Sequence, residues 1–298
     1  MYKRQGAATL LALGKLGGRE LNFSSDVDLL FVYASPGSVE ADAARNSEVA
    51  RVVRGMRAGL EARGELGFGY RVDLELRPEG PTGPLANSVE AALGYYESFG
   101  AEWERQALIR LRPVAGPEAP SLALLRGLDP FVWRRSLSPA ALTAVRDMKG
   151  RIERERREAG RDLERDLKEG PGGIRDVEFL VQALQLLIGG RDASVRTGNV
   201  LEALRALGAA HALPEETAAA LASAYLWLRR AEHAIQLDEE RQSHALPRDA
   251  AGQRALARRM GYRDDQAEAA RARLIEDWSA VRAEVRGHFE SLLPAEPR

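Results

Sequence analysis

Cysteine is absent from the 298 residues. A disulfide framework and a thiolate-bound zinc are thereby excluded, and a cytoplasmic location is the default expectation. A charge excess is missing as well: 43 Lys and Arg stand against 44 Asp and Glu, a formal net charge of −1. A general nucleic-acid binder carries a basic surplus, so no nucleic-acid partner is expected. No apolar run reaches the roughly 18 residues of a membrane span, and no membrane association is expected. The basic N-terminal stretch has too short an apolar part for a signal peptide and runs straight into a glycine motif. A chain that opens this close to its main motif is expected to be a piece of something longer. Histidine is scarce. His211, His233, His244 and His288 show no H-x-H or H-E-x-x-H spacing and are expected to pack or face solvent rather than bind metal.

What is present suits one large domain or two of ordinary size, with 45% hydrophobic residues to build cores. Ala7–Gly14 and Val27–Tyr33 have the apolar content of buried strands, and Phe68–Pro78 alternates like a third strand with a proline stop. Ser38 to Arg63, Ser88–Phe99 and Glu102–Arg112 carry helical spacing, the last ended by Pro113. Beyond Gly116 only helical patterns follow: Leu142–Glu158, Ile174–Leu187, Val200–Leu207, Glu215–Leu237 and Asp265–Leu293. The expected organisation is α+β, with a small α/β domain over residues 1–115 and an all-α helical bundle over 116–298. The charged run from Arg151 to Gly170 is expected to be a solvated face.

The stretch GKLGGRELNFSSDVDLLFVY (Gly14–Tyr33) places two aspartates at i and i+2 where a buried strand begins. Strand side chains alternate, so Asp26 and Asp28 share one face. On the third expected strand Asp73, Glu75 and Arg77 share a face, and if the two strands are neighbours Asp73 faces the pair. Three converging carboxylates repel unless a cation sits among them, and hard oxygen donors suit Mg²⁺ or Mn²⁺. Two such ions about 4 Å apart clamp the attacking and leaving oxygens in phosphoryl transfer. Gly17 and Gly18 precede RELNFSSD, a candidate short helix whose backbone N–H groups would bind phosphate. Lys15 and Arg19 add positive charge, and Ser25 adjoins the aspartates. Taken singly, a glycine pair is a common turn and an Asp-x-Asp a solvated cap. Their combination with Asp73 is a nucleotidyl-transfer arrangement.

At these residues the sequence resembles the bacterial glutamine synthetase adenylyltransferase/adenylyl-removing enzyme family. The resemblance rests on LGKLGGRELNFSSDVDLLFVY, YRVDLELRPEGPTGPLANS, WERQALIRLRPVAG, LKEGPGGIRDVEFLVQALQLL and AYLWLRRAEHAIQLDEERQSHALP, in order along nearly the whole chain. It implies a polymerase-β-like nucleotidyltransferase domain followed by a helical domain. Family proteins carry two such units. GRELNFSSDVD and the GPLANS and WERQALIR blocks look like the N-terminal one, which removes AMP from a tyrosine of glutamine synthetase by phosphorolysis. The resemblance further implies ATP or ADP and phosphate as small ligands and PII signalling protein as a regulator. It assigns metal binding to Asp26, Asp28 and Asp73, and phosphate contact to Gly17 and Gly18. One departure stands out: Glu75 occupies a position where the family pattern V-D-L-R-L-R-P has arginine, inverting a charge beside Asp73, while Arg77 is kept and is expected to contact the nucleotide or phosphate. The adenylylating unit, the related PII uridylyltransferase and a catalytically impaired module binding PII or glutamine synthetase are the alternatives.

Two further blocks invite a role. In EWERQAL, Trp103 is expected to pack between domains, with Glu104 and Arg105 near the nucleotide; the plainer reading is a salt-bridged helix. In KEGPGGIRDVEF, Lys168 and Arg175 are expected to reach phosphates or the protein substrate; the plainer reading is a helix whose first turn is well capped by Asp176 and Glu178.

Overall fold

The computed structural model describes residues 8–65, 67–135, 139–239, 243–263 and 267–293. It divides into two units. One comprises the residues up to Leu21, Ser25–Arg134 and Thr197–Asn199; the other comprises Asn22–Ser24, Arg135–Arg196 and the residues from Val200 onward.

The first unit is built on a mixed sheet. β1 (Thr9–Ala12) ends at a single helical turn, α1 (Gly14–Gly17), and a loop leads to β2 (Asp26–Tyr33), the longest strand. From Leu29 on every residue of β2 is buried, which suits a strand covered on both faces. β1 and β2 pair antiparallel. α2 (Val39–Glu61) follows, started by Ser38, whose side chain accepts from Ala41 N. Its Val49 and Val53 join Val27, Leu29, Phe31 and Tyr33 in one core cluster. A two-residue hairpin, β3 (Arg63–Gly64) and β4 (Gly67–Phe68), precedes β5 (Arg71–Asp73), which runs parallel to the start of β2. β6 (Asn87–Ser88) runs parallel to the other end of β2. Ser88 caps α3 (Val89–Phe99), and α4 (Glu102–Leu108) leads to β7 (Arg112–Ala115), antiparallel to β1 with an irregular register at Leu10/Leu11. α5 (Glu118–Val132) closes the unit, packing on α3, α4, β1 and β2.

Three expectations change here. The strand expected over Phe68–Pro78 ends at Asp73, because the Asp73 carboxylate accepts a 2.7 Å hydrogen bond from Glu75 N and turns the chain. Glu75 and Arg77 therefore do not alternate with Asp73 along a strand. Residues Arg112–Ala115, expected to end a helix at Pro113, form an edge strand instead, where a missing N–H is tolerated. The expected join at 115/116 falls inside the first unit, which extends through α5, packed on α3, α4, β1 and β2.

The second unit contains α6 (Pro139–Glu158), α7 (Ile174–Ile188), α8 (Val200–Ala209), α9 (Glu215–Glu239), α10 (Ala250–Arg259) and α11 (Ala267–Leu292). α7 is buried almost throughout and touches α6, α8, α9 and α11. Its Asp176 is fully buried, yet not uncompensated. Oδ2 accepts from Gly172 N at 2.8 Å, and Lys149 Nζ and Arg286 Nη1 stand 2.8 and 3.3 Å from the carboxylate. Lys149 also pairs with Glu153 at 2.7 Å. The expected solvated run thus starts from a helix whose inner face holds buried charge. Among the described residues no helix is long and apolar enough to cross a membrane.

Candidate functional site

The parallel pairing of β2 with β5 sets the site. Its register matches Asp26 with Arg71, Val27 with Val72, and Asp28 with Asp73. Val27 and Val72 belong to the core under α2. By alternation Asp26, Asp28, Arg71 and Asp73 therefore lie on the opposite face, each half-buried. The three carboxylates are on one face, with Asp28 and Asp73 side by side.

They do not stand alone. Arg71 Nε is 2.6 Å from Asp26 Oδ1, and its guanidinium lies over the Phe68 ring, 5.6 Å from the centroid. Asp73 Oδ1 is held by the turn to Glu75. Among the described residues no group of three His, Asp or Glu side chains is set as a metal-ligand cluster. The donor chemistry nonetheless suits a hard divalent ion: all candidate ligands are carboxylate oxygens, and a cationic group already stands against one of them.

Gly14, not singled out by the sequence, is the glycine that matters most to this face. Its φ is +51°, and an added Cβ would sit 1.9 Å from Asp28 Oδ2. The Asp28 carboxylate thus lies directly on the Gly14 backbone, while Leu13 N donates to Asp28 O at 2.9 Å. Gly17 and Gly18 end α1 rather than start a helix, and RELNFSSD is not helical. A Cβ on Gly17 would meet Arg110 O at 2.0 Å, and one on Gly18 would meet Gly198 O at 2.7 Å, so close backbone packing requires both. Arg112 donates to Leu16 O and Gly17 O at 2.8 and 3.1 Å, satisfying carbonyls at the end of α1. Lys15 is buried, Ser25 is half-buried, and Arg19 is exposed with φ +58°.

The other expected contacts have structural employment. Arg77 is buried and donates to the carbonyls of Leu74, Pro81, Gly83 and Pro84, pinning the loop after β5. Burial pulls its pKa below the ordinary guanidinium value, opposed by the charges of Glu75 and Asp73. Glu75 is exposed. Glu104 is buried and caps α4, accepting from Ala101 N at 2.8 Å and Tyr95 Oη at 3.0 Å. Arg105 is fully buried, bonded to Phe131 O and Glu102 and stacked on the Phe131 ring. Trp103 is 44% exposed. In the helical unit Arg175 faces Glu169 at 3.5 Å and lies over Phe179, and Lys168, half-buried, adds charge near Glu169. His244 Nδ1 is 2.9 Å from the buried Glu232.

A family profile described as "Glutamate-ammonia ligase adenylyltransferase" matches residues 2–127, and one described as "GlnD PII-uridylyltransferase" matches 146–293. Curated relatives named "Bifunctional glutamine synthetase adenylyltransferase/adenylyl-removing enzyme" include one from Nitrosococcus oceani, 41% identical over 289 residues, covering 96% of this chain and 29% of the relative. A second, from Thioalkalivibrio sulfidiphilus, is 42% identical over 288 residues with 96% and 29% covered. A third, from Xanthomonas campestris pv. campestris, is 44% identical over 289 residues with 95% and 30% covered. The chain therefore spans under a third of the length of these relatives. By this similarity the chain is homologous to one stretch of the longer bifunctional glutamine synthetase adenylyltransferase/adenylyl-removing enzymes.

Proposed function

We propose that the chain is a polymerase-β-like nucleotidyltransferase unit that removes AMP from adenylyl-tyrosine of glutamine synthetase by phosphorolysis. The observation that carries this reading is the β2–β5 register, which brings Asp26, Asp28 and Asp73 to one face. These three residues would hold Mg²⁺ or Mn²⁺. Such an ion, when bound, neutralises charge developing on the phosphoryl oxygens.

Inorganic phosphate attacks the α-phosphorus in line as the bond to the tyrosine oxygen breaks, giving ADP and the unmodified tyrosine. The phenol has a pKa of about 10, so the phenolate leaves acceptably once its charge is offset. Phosphate is already anionic near neutral pH, so its attack requires no strong general base. In keeping with that, no histidine lies near Asp26, Asp28 or Asp73 in sequence. Lys15, Arg19 and Ser25, in the segment that joins β1 to β2, are the candidates for phosphate contact. Lys168 and Arg175 remain candidates for contact with the protein substrate. The match of the helical unit to the PII-uridylyltransferase profile supports PII signalling protein as a regulator.

The opposite direction, adenylylation from ATP, is the second reading. It is favoured by the description of the profile that matches residues 2–127. Incubation with Mg²⁺, phosphate and AMP-modified glutamine synthetase should release ADP. Pyrophosphate release from ATP and the unmodified enzyme, without ADP release in the first assay, would establish the other direction.

A further inference from the structure

The carboxylate face carries its own counter-cation. We propose that Arg71 competes with the divalent ion for Asp26, so that it holds this carboxylate in the metal-free protein and yields it when metal binds. The inference rests on the metal role assigned above to Asp26, Asp28 and Asp73.

Arg71 and Asp26 are direct partners in the parallel ladder, one step along from the Asp28–Asp73 pair. The pair spans 2.6 Å, with side chains 34% and 37% exposed. It is therefore neither sealed in the core nor fully screened by water, a setting in which a close ion pair has real strength and can still open. Without a cation, three carboxylates on one sheet face would repel one another. A guanidinium at Asp26 relieves that repulsion and occupies one of the oxygens that a shared ion would need. Arginine fits this task in a way that histidine does not, because a guanidinium keeps its charge and cannot leave by losing a proton. It can leave only by moving, and it has somewhere to lean: the exposed ring of Phe68 on the β3–β4 hairpin already lies under its guanidinium.

Arg71→Gln removes the competing charge and keeps a polar side chain of similar length. Mn²⁺ binding to the full chain, followed without nucleotide by the loss of the free-ion electron paramagnetic signal, should tighten roughly tenfold or more. Without metal, the melting temperature should fall, and saturating Mn²⁺ should raise it by more than in the parent protein. Arg71→Lys, which restores the charge, should return the Mn²⁺ affinity most of the way. Equal or weaker Mn²⁺ binding by Arg71→Gln overturns the proposal. A raised KM for phosphate with unchanged Mn²⁺ affinity also overturns it and makes Arg71 a substrate ligand. If the parent protein binds no Mn²⁺, or binds it equally well after Asp28→Asn, the metal reading fails first and this inference falls with it.

Discussion

Asp28 on β2 and Asp73 on β5 are direct partners across a parallel ladder, 45 residues apart in sequence and side by side on one face of the sheet. Asp28→Asn keeps the shape of the side chain and removes its charge. Turnover should fall by at least about a hundredfold, in line with the loss of a metal-holding group. The melting temperature of the metal-free protein should hold or rise, since a like charge is removed. Unchanged steady-state phosphorolysis would show that Asp28 is a bystander.

Gly14 makes a sharper structural case. Gly14→Ala places a methyl against the Asp28 carboxylate in a left-handed backbone conformation. The loss of stability should be about 1–3 kcal/mol, with turnover reduced alongside it. Gly59→Ala is the contrast: it lies inside α2 with open space where its Cβ would be, and the substitution should stabilise by about 0.4–1 kcal/mol. Urea unfolding of both variants checks the pair.

Lys149 is the buried cation between Asp176 and Glu153 and also donates to Glu169 O at 3.0 Å. Lys149→Met leaves those carboxylates short of a partner and should cost about 3–5 kcal/mol. Little change in the unfolding midpoint would mean that Arg286 alone compensates them.

Glu169 gives the helical unit a pH dependence. Burial by itself would raise its pKa, but Arg175, Lys168 and Lys149 outweigh it and the net shift is downward. A lowered folded-state pKa means stability that is present above the unfolded value of about 4.3 and lost as pH falls through the folded value. Glu169→Gln should therefore flatten the acid side of the stability profile and lower stability near neutral pH. Parallel profiles for parent and variant would contradict this.

β2 and most of the helices were legible because their apolar periodicity coincides with their burial. β5 was overread. Leu74 and Leu76 prolong the alternation, but the turn from Asp73 to Glu75 ends the strand, and sequence spacing does not show such a turn. β7 was hidden by Pro113, which marks a sheet edge as readily as a helix end. α5 contains Pro130, a residue that argues against a helix on sequence grounds. Gly17 and Gly18 stand out in sequence as a pair, although their nearest constraints are the backbones of Arg110 and Gly198. Arg71 left no local signal, since its partner is chosen by the pairing of strands far apart in sequence. Arg77, Glu104 and Arg105 look functional in sequence because they are charged, and their burial against carbonyls, caps and rings becomes visible only in three dimensions.

The most direct measurement is phosphate-dependent ADP release from glutamine synthetase carrying labelled AMP on tyrosine, compared between the parent chain and Asp73→Asn. Asparagine retains an oxygen able to accept from Glu75 N, so the turn after β5 can survive while the charge beside Asp28 is lost. Labelled ADP should accumulate with the parent chain and Mg²⁺ only when phosphate is present, and the variant should release almost none. Release by Asp73→Asn at the parent rate would contradict the assignment of this carboxylate face as the catalytic centre.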